Sequence, residues 1–166
     1  MHIFIVVMFI WRDTMLSSSL EKCLVCMYQM LESDKELKIS DLAKQINQPL
    51  QKTIQALQRM HYQKHIIYSP YQPLKLTEQG KSTAEYLMAR DALIDEFLGF
   101  LHIEKNFSTE KESMSQYLSY ESLEQIEKFV IFNRQYPEIA ERFSLLLKMT
   151  PKHTLLPPLP NGEKKL

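Results

Sequence analysis

The sequence predicts a mainly α-helical fold carrying one small β-hairpin, and three observations predict it. Apolar residues recur at three- and four-residue spacing through most of the chain. Glycine occurs only 3 times in 166 residues, leaving little material for turn-rich β architecture. Two runs of strand composition, His65-Ile66-Ile67-Tyr68 and Pro73-Leu74-Lys75-Leu76, flank a proline-containing turn, Ser69-Pro70-Tyr71-Gln72.

The elements follow in order. Ser18-Ser19-Leu20-Glu21 has the pattern of a capping box, with Ser18 as N-cap. Leu20, Leu24, Met27 and Leu31 then continue at helical spacing to about Ser33. Beyond the polar break Ser33-Asp34-Lys35-Glu36, Leu37-Lys38-Ile39 reads as a short strand, and Ser40 caps a short helix over 41–46. Asn47-Gln48 forms a turn, and Pro49 suits the first position of the next helix, which runs to about Met60 with Ile54, Leu57 and Met60 inward. After the hairpin a long helix spans Thr77 to about Leu101, with Leu87, Ile94, Phe97, Leu98 and Leu101 as its apolar side. Thr109-x-x-Glu112 reads as a second capping box for a helix to about Leu118. Ser119 or Ser122 opens another through Phe132, and Pro137 starts a last one ending near Met149.

Helix, short strand, helix, turn, helix and hairpin make a winged helix-turn-helix. In that arrangement the second helix of the turn motif is presented to the major groove, and the hairpin reaches the flanking backbone. The outward face of the Pro49–Met60 helix carries Gln51, Gln55 and Gln58 at i, i+4, i+7, with Lys52 and Arg59 beside them and no acid. Glutamine can pair with the adenine edge, and lysine or arginine with guanine or phosphate. Gln51, Lys52 and Gln55 are therefore expected to approach bases of double-stranded DNA, and Lys44, Thr53, Arg59, Tyr71 and Lys75 its backbone. His61 and His65, at the end of this helix and the start of the wing, suit a phosphate-side contact. The alternative for the face is an ordinary solvated surface, since the same residues are good helix formers.

Charge is distributed to match. The chain is formally neutral, yet Asp34 to Lys81 carries eight bases against four acids, and Ser82 to Leu147 twelve acids against six bases. Two cysteines, Cys23 and Cys26, are too few for a disulfide scaffold and fit a reduced, cytoplasmic setting. They read as small core residues, or alternatively as thiol sensors or soft metal ligands. The apolar run within Met1–Trp11 is about half of the ~20 residues of a membrane helix and lacks the flanks of a signal peptide. It reads as an extension ahead of a domain starting near Met15, with no membrane partner expected and a peripheral anchor as the alternative. No nucleophile–base arrangement or phosphate-binding glycine loop is visible, which argues against an enzyme and gives no catalytic residue.

From Leu20 to about Phe132 the chain resembles the diphtheria-toxin-repressor family of iron- and manganese-dependent transcriptional regulators. The resemblance is carried by Ile39-Ser40-Asp41-Leu42-Ala43, Leu76-Thr77-Glu78-Gln79-Gly80, Arg90-Asp91-Ala92-Leu93-Ile94-Asp95-Glu96-Phe97-Leu98 and Leu118-Ser119. It implies a repressor acting as a homodimer through its C-terminal helices and reading a palindromic operator. The expected organisation is an apolar extension over 1–14, a winged helix-turn-helix domain over 15–80, a helical dimerisation region over 81–149 and a proline-rich tail over 150–166.

The resemblance also implies a Mn²⁺ or Fe²⁺ cofactor held between the first helix, the long helix and the one after it. Here the implied ligand positions fall on Lys22 and Val25, on Asp91, and on Glu112, Ser115 and Gln116. Asp91, Asp95 and Glu112 are the carboxylates left as candidate metal ligands. Without imidazole or thiolate they suit Mn²⁺ or Mg²⁺ weakly and Fe²⁺ or Zn²⁺ poorly. Lys22 supplies instead a built-in cation for Asp91 or Glu112, and the expectation is a lost or altered divalent-metal response. Two alternatives stay open: a small-molecule-responsive repressor of the MarR type, and a winged helix used for protein contacts.

Overall fold

The computed structural model describes residues 16–33 and 37–149. The apolar extension, the break at 34–36 and the proline-rich tail lie outside the described residues. Among these, seven helices and one two-stranded antiparallel hairpin follow in order: α1 (Ser18–Ser33), α2 (Ile39–Gln45), α3 (Leu50–Tyr62), β1 (Ile66–Ile67), β2 (Lys75–Leu76), α4 (Glu78–Phe100), α5 (Phe107–Tyr117), α6 (Tyr120–Gln135) and α7 (Pro137–Met149). Ile66 pairs with Leu76 and Ile67 with Lys75. None of the helices in the described residues is long and apolar enough to cross a membrane.

Several helix starts differ from the sequence reading, each for a local reason. Leu37-Lys38-Ile39 is not a strand. Leu37 is buried in the core, and the Lys38 carbonyl accepts from the Asp41 and Leu42 amides at 3.0 and 3.2 Å, so Lys38 caps α2 and Ser40 lies inside it. Pro49 is the N-cap of α3 rather than its first helical residue. At α1 the Ser17 carbonyl takes the first helical bonds, and Ser18 is helical itself. Asn106, in the left-handed region at φ 59°, starts α5 three residues ahead of the expected Thr109 cap. Ser119 does cap α6, accepting from the Ser122 amide at 3.2 Å.

Two hydrophobic clusters share one helix. The first gathers Leu20, Leu24 and Met27 of α1, Leu42 of α2, Leu57 and Met60 of α3, Ile66 and Leu74 of the wing, and Ala84 and Leu87 of α4. The second joins Ile94 and Leu98 of α4 to Leu123 of α6, with Phe107 and Met114 of α5 packed on it. Each fully buried leucine contributes about 1.5–3 kcal/mol relative to an exposed one. The buried stripe of α4 reads Gly80, Ala84, Leu87, Ile94, Leu98, a series of alternating four- and three-residue steps with one member missing. The missing member, four residues after Leu87 and three before Ile94, is Asp91.

The wing is tied to α4 through the Leu76-Thr77-Glu78-Gln79-Gly80 segment. Thr77 caps α4 by accepting from the Gly80 amide at 3.0 Å, while its own hydroxyl donates to the Lys64 carbonyl at 2.6 Å. The Thr77 amide donates to the His65 carbonyl at 3.0 Å. A sequence motif thus becomes a hydrogen-bonded joint between hairpin and helix.

Candidate nucleic-acid interface and interhelical cleft

The turn between α2 and α3 is made at Asn47, which takes a left-handed conformation (φ 51°) that asparagine tolerates better than most residues. The turn lets Leu42 and Ala43 of α2 and Leu57 and Met60 of α3 meet the core while the other side of α3 faces outward. Gln51, Lys52, Gln55, Gln58 and Arg59 are all exposed on that side, as are Lys44, Tyr71 and Lys75. Tyr71 stands at the tip of the wing with φ 64° and its side chain fully in solvent. Lys44 is loosely paired with Asp41 at 3.6 Å, both exposed.

Two expectations for this surface are corrected. Thr53 is fully buried, and its hydroxyl donates to the Pro49 carbonyl at 3.3 Å, so it cannot reach DNA. It occupies the inward position four residues before Leu57, and Ile54 is only half-buried. His65 is also buried, with no hydrogen-bond partner for either ring nitrogen among the described residues, and burial lowers its pKa from the ordinary value. It is a core histidine and not a phosphate contact. His61 stays exposed, with Nδ1 3.2 Å from the Ile66 carbonyl and 3.3 Å from the Tyr68 amide. Tyr62, which the sequence reading passed over, is strongly exposed beside Gln55, Gln58 and Arg59 along a shallow depression. Its signal was present: it lies seven residues after Gln55, on the same helical face.

The second feature is a cleft of about 530 Å³ between α1, α4 and α5. It collects every position the resemblance implies for a metal: Lys22, Val25, Asp91, Glu112, Ser115 and Gln116, together with Asp95. Each carboxylate there has one of the protein's own cations beside it, although Asp95 Oδ1 is buried with no hydrogen-bond partner among the described residues. Lys22 Nζ lies 3.0 Å from Glu112 Oε1, joining α1 to α5. Arg90 Nη2 lies 3.0 Å from Glu21 Oε2, joining α4 to α1. Lys111 Nζ lies 2.6 Å from Asp95 Oδ2, joining α5 to α4. Each pair of helices around the cleft is bridged by one ion pair. Asp91 accepts from Arg90 Nε at 3.2 Å and Nη2 at 3.0 Å, and from Ser115 Oγ at 3.3 Å.

The three pairs are unequal. Arg90 is 10% exposed and Glu21 22%, so this pair works in a low dielectric, while Lys22 and Glu112 are 68% and 52% exposed and screened by water. Burial opposes the Arg90 charge, but hydrogen bonds and charge from Glu21, then Asp91, outweigh it and hold the guanidinium above its ordinary range. The hydrogen bond and charge of Lys22 hold Glu112 below the usual carboxylate range. Four carboxylates and three cations line the cleft, leaving one formal negative charge.

These donors do not fit the implied ion. The described residues contain no group of three or more His, Cys, Asp or Glu side chains placed to hold a metal. Cys26 borders the cleft, but its thiol points to Met30 Sδ at 3.8 Å and burial raises its pKa. Cys23 is a core residue whose thiol is pushed up to about 11 by burial and by Cys26. The sequence reading named Lys22, Asp91, Asp95 and Glu112 but missed Glu21, Arg90 and Lys111. An acid–base dipeptide on each helix, Glu21-Lys22 and Lys111-Glu112, was the available signal.

Comparison with known proteins bears on both features. No family model matches the chain. An HTH-type transcriptional regulator MntR of Listeria welshimeri is 23% identical over 135 residues, covering 81% of this chain and 95% of that one. The MntR regulator of Bacillus velezensis is 26% identical over 141 residues, covering 84% and 96%, and that of Bacillus pumilus 25% over 135 residues, covering 81% and 94%. Among solved structures, the metal-dependent transcriptional regulator MtsR superposes with a TM-score of 0.59 at 19% identity. That match covers 68% of this chain and spans about half, 54%, of the other, and it establishes a shared fold. The chain is thus similar, at about a quarter identity over most of its length, to MntR regulators of the diphtheria-toxin-repressor family.

Proposed function

We propose that this chain is a sequence-specific DNA-binding transcriptional repressor that acts as a cytoplasmic homodimer on a palindromic operator. The observation that carries the reading is the outward face of α3. Gln51, Lys52, Gln55 and Arg59 are exposed together, directly after a tight turn, on a helix that contains no acidic residue. Gln51, Lys52 and Gln55 are assigned to base edges, and Lys44, Arg59, Tyr71 and Lys75 to the DNA backbone. The relatives named as HTH-type transcriptional regulators support this assignment over an enzyme.

Homodimerisation is assigned to residues 81–149, where α6 and α7 leave Phe129, Phe132, Ile139, Leu145 and Leu147 exposed in the single chain. The winged helix-turn-helix is assigned to 15–80, with α4 common to both parts because its first half packs in one core and its second half in the other. The alternative of a small-molecule-responsive repressor of the MarR type would use a second cavity of about 360 Å³ between α1, α4 and α6, bordered by Leu16, Tyr86, Leu87, Leu118 and Leu123.

The test is a salt titration of duplex DNA binding. Phosphate contacts give a steep fall of affinity with salt, and Lys52→Ala with Arg59→Ala should each reduce that slope by about one. Binding without salt dependence, and unchanged in both variants, would remove α3 from the interface.

A further inference from the structure

The apolar stripe of α4 breaks at one position, Asp91, and at that break the three helices around it are held by charge. Glu21–Arg90, Asp95–Lys111 and Lys22–Glu112 bridge α1 to α4, α4 to α5 and α5 to α1. We propose that this closed ring of ion pairs holds α1, α4 and α5 in their working arrangement without a divalent ion, so that the protein binds DNA independently of metal. The inference rests on the DNA-binding reading only for its last clause.

The chemistry points this way for three reasons. First, a divalent cation entering the cleft would face Lys22, Arg90 and Lys111 at hydrogen-bond distance from the carboxylates it needs. A bare lysine ammonium neutralises a carboxylate and donates hydrogen bonds to it, which is what a metal ion would otherwise supply. Second, the formal charge left over is a single negative one, too little to attract a hydrated divalent ion against three fixed cations. Third, the least exposed cation, Arg90, cannot release its proton and is gripped by two carboxylates, so the centre of the ring is permanent under ordinary conditions. The outer pair, Lys22–Glu112, is the exposed link between the helix-turn-helix part and α5 and is the one that opens first.

The test uses the full chain, treated with chelator, with two readouts that do not involve DNA. In titration calorimetry, micromolar Mn²⁺ should give no binding heat with the wild type. The double variant Lys22→Gln/Lys111→Gln leaves two carboxylates, Glu112 and Asp95, without their ammonium partners and should gain Mn²⁺ affinity by at least about tenfold. In hydrogen exchange, Lys22→Glu should speed exchange in the first turns of α1 and α5, and adding Glu112→Lys, which restores the pair with reversed charges, should return it to the wild-type rate. That rescue also guards against misfolding of the single variant. Micromolar Mn²⁺ binding by the wild type, or slowed exchange in α1 and α5 on adding Mn²⁺, overturns the proposal. So does failure of the charge swap to rescue. A DNA arm completes it: chelated wild type should bind duplex DNA as tightly as with Mn²⁺. If DNA binding is absent under both conditions while the first two readouts hold, the functional reading fails and the ion-pair ring stands. If chelation abolishes DNA binding and Mn²⁺ restores it, the ring does not replace a metal.

Discussion

Gly80, in the first turn of α4, lies directly against the backbone of His65 at the foot of the wing: a Cβ on Gly80 would stand 1.9 Å from the His65 carbonyl oxygen. No flexible side chain can yield there, because the obstacle is main chain that also accepts the Thr77 amide. Glycine at this position permits the close approach of hairpin and helix rather than an unusual dihedral.

Gly80→Ala should therefore destabilise the protein although alanine is the better helix former by roughly 1 kcal/mol. We expect a net loss of about 1–3 kcal/mol, as for overpacked cores. It would be read as a lower denaturation midpoint at unchanged slope in urea. A midpoint equal to or above the wild type would show that the wing and α4 are not in this contact.

His65 gives the stability a pH dependence of known sign. Burial lowers its pKa from the ordinary 6.5, so the unfolded chain takes up a proton that the folded chain resists. Folding stability is full above the unfolded pKa and falls as pH drops through 6.5 towards the lower folded value. His65→Leu removes the titrating group from a site with no hydrogen-bond partner for its ring among the described residues. The variant should lose less stability than the wild type between pH 7 and pH 5, both values bracketing the ordinary histidine range of about 6.5. Thermal unfolding at several pH values measures the difference, and parallel curves would refute the assignment.

Arg90 and Glu21 should be strongly coupled. Arg90→Met leaves Glu21 and Asp91 without their shared cation and should cost about 2–4 kcal/mol, less than at a fully buried pair because Asp91 stays partly exposed. Glu21→Met alone should cost less, since Arg90 keeps Asp91. The double variant should recover part of the sum, giving a coupling of about 1 kcal/mol or more in a double-mutant cycle. Additive losses would mean the pair does not act as a unit.

Thr53 separates the inner and outer faces of α3. Thr53→Val keeps the shape, removes a hydroxyl bonded only to the Pro49 carbonyl, and should leave both DNA affinity and its salt slope unchanged within error. Gln55→Ala, two residues on and exposed, should relax sequence preference by about 1–3 kcal/mol at one base pair. If Thr53→Val weakened DNA binding as much as Gln55→Ala, the face of α3 that meets DNA would include Thr53 and the helix would be rotated.

What was legible in the sequence was mostly local. The Ser119 cap, Pro137 at the start of α7, the wing turn and the extent of α4 follow from signals confined to a few neighbours. The misplaced starts of α2 and α5 have a shared origin. Ser40 and Thr109 are good cap residues, but Leu37 anchored in the core and Asn106 in a left-handed conformation begin the helices earlier. Thr53 reads as a surface contact from its hydroxyl alone, whereas the residue is buried and its hydroxyl is satisfied one turn back. The ion-pair ring was only partly visible. Its bridges join residues 69, 90 and 16 positions apart, and pairing over such distances depends on how helices pack rather than on any spacing within one helix.

Because one helix of 23 residues serves both hydrophobic clusters, α4 sets the phase between the two ends of the molecule. Each residue along it turns the chain by about 100° and advances it about 1.5 Å. A single residue inserted between Leu87 and Ile94 would leave each cluster intact by itself. Yet it would swing the α3 surface by more than a quarter turn relative to α6 and α7. An insertion of seven residues would nearly restore the angle and lengthen the span by about 10 Å. The length of this one rod is therefore a ruler, and in a two-fold pair of such chains it would set the separation and facing of the two reading helices together.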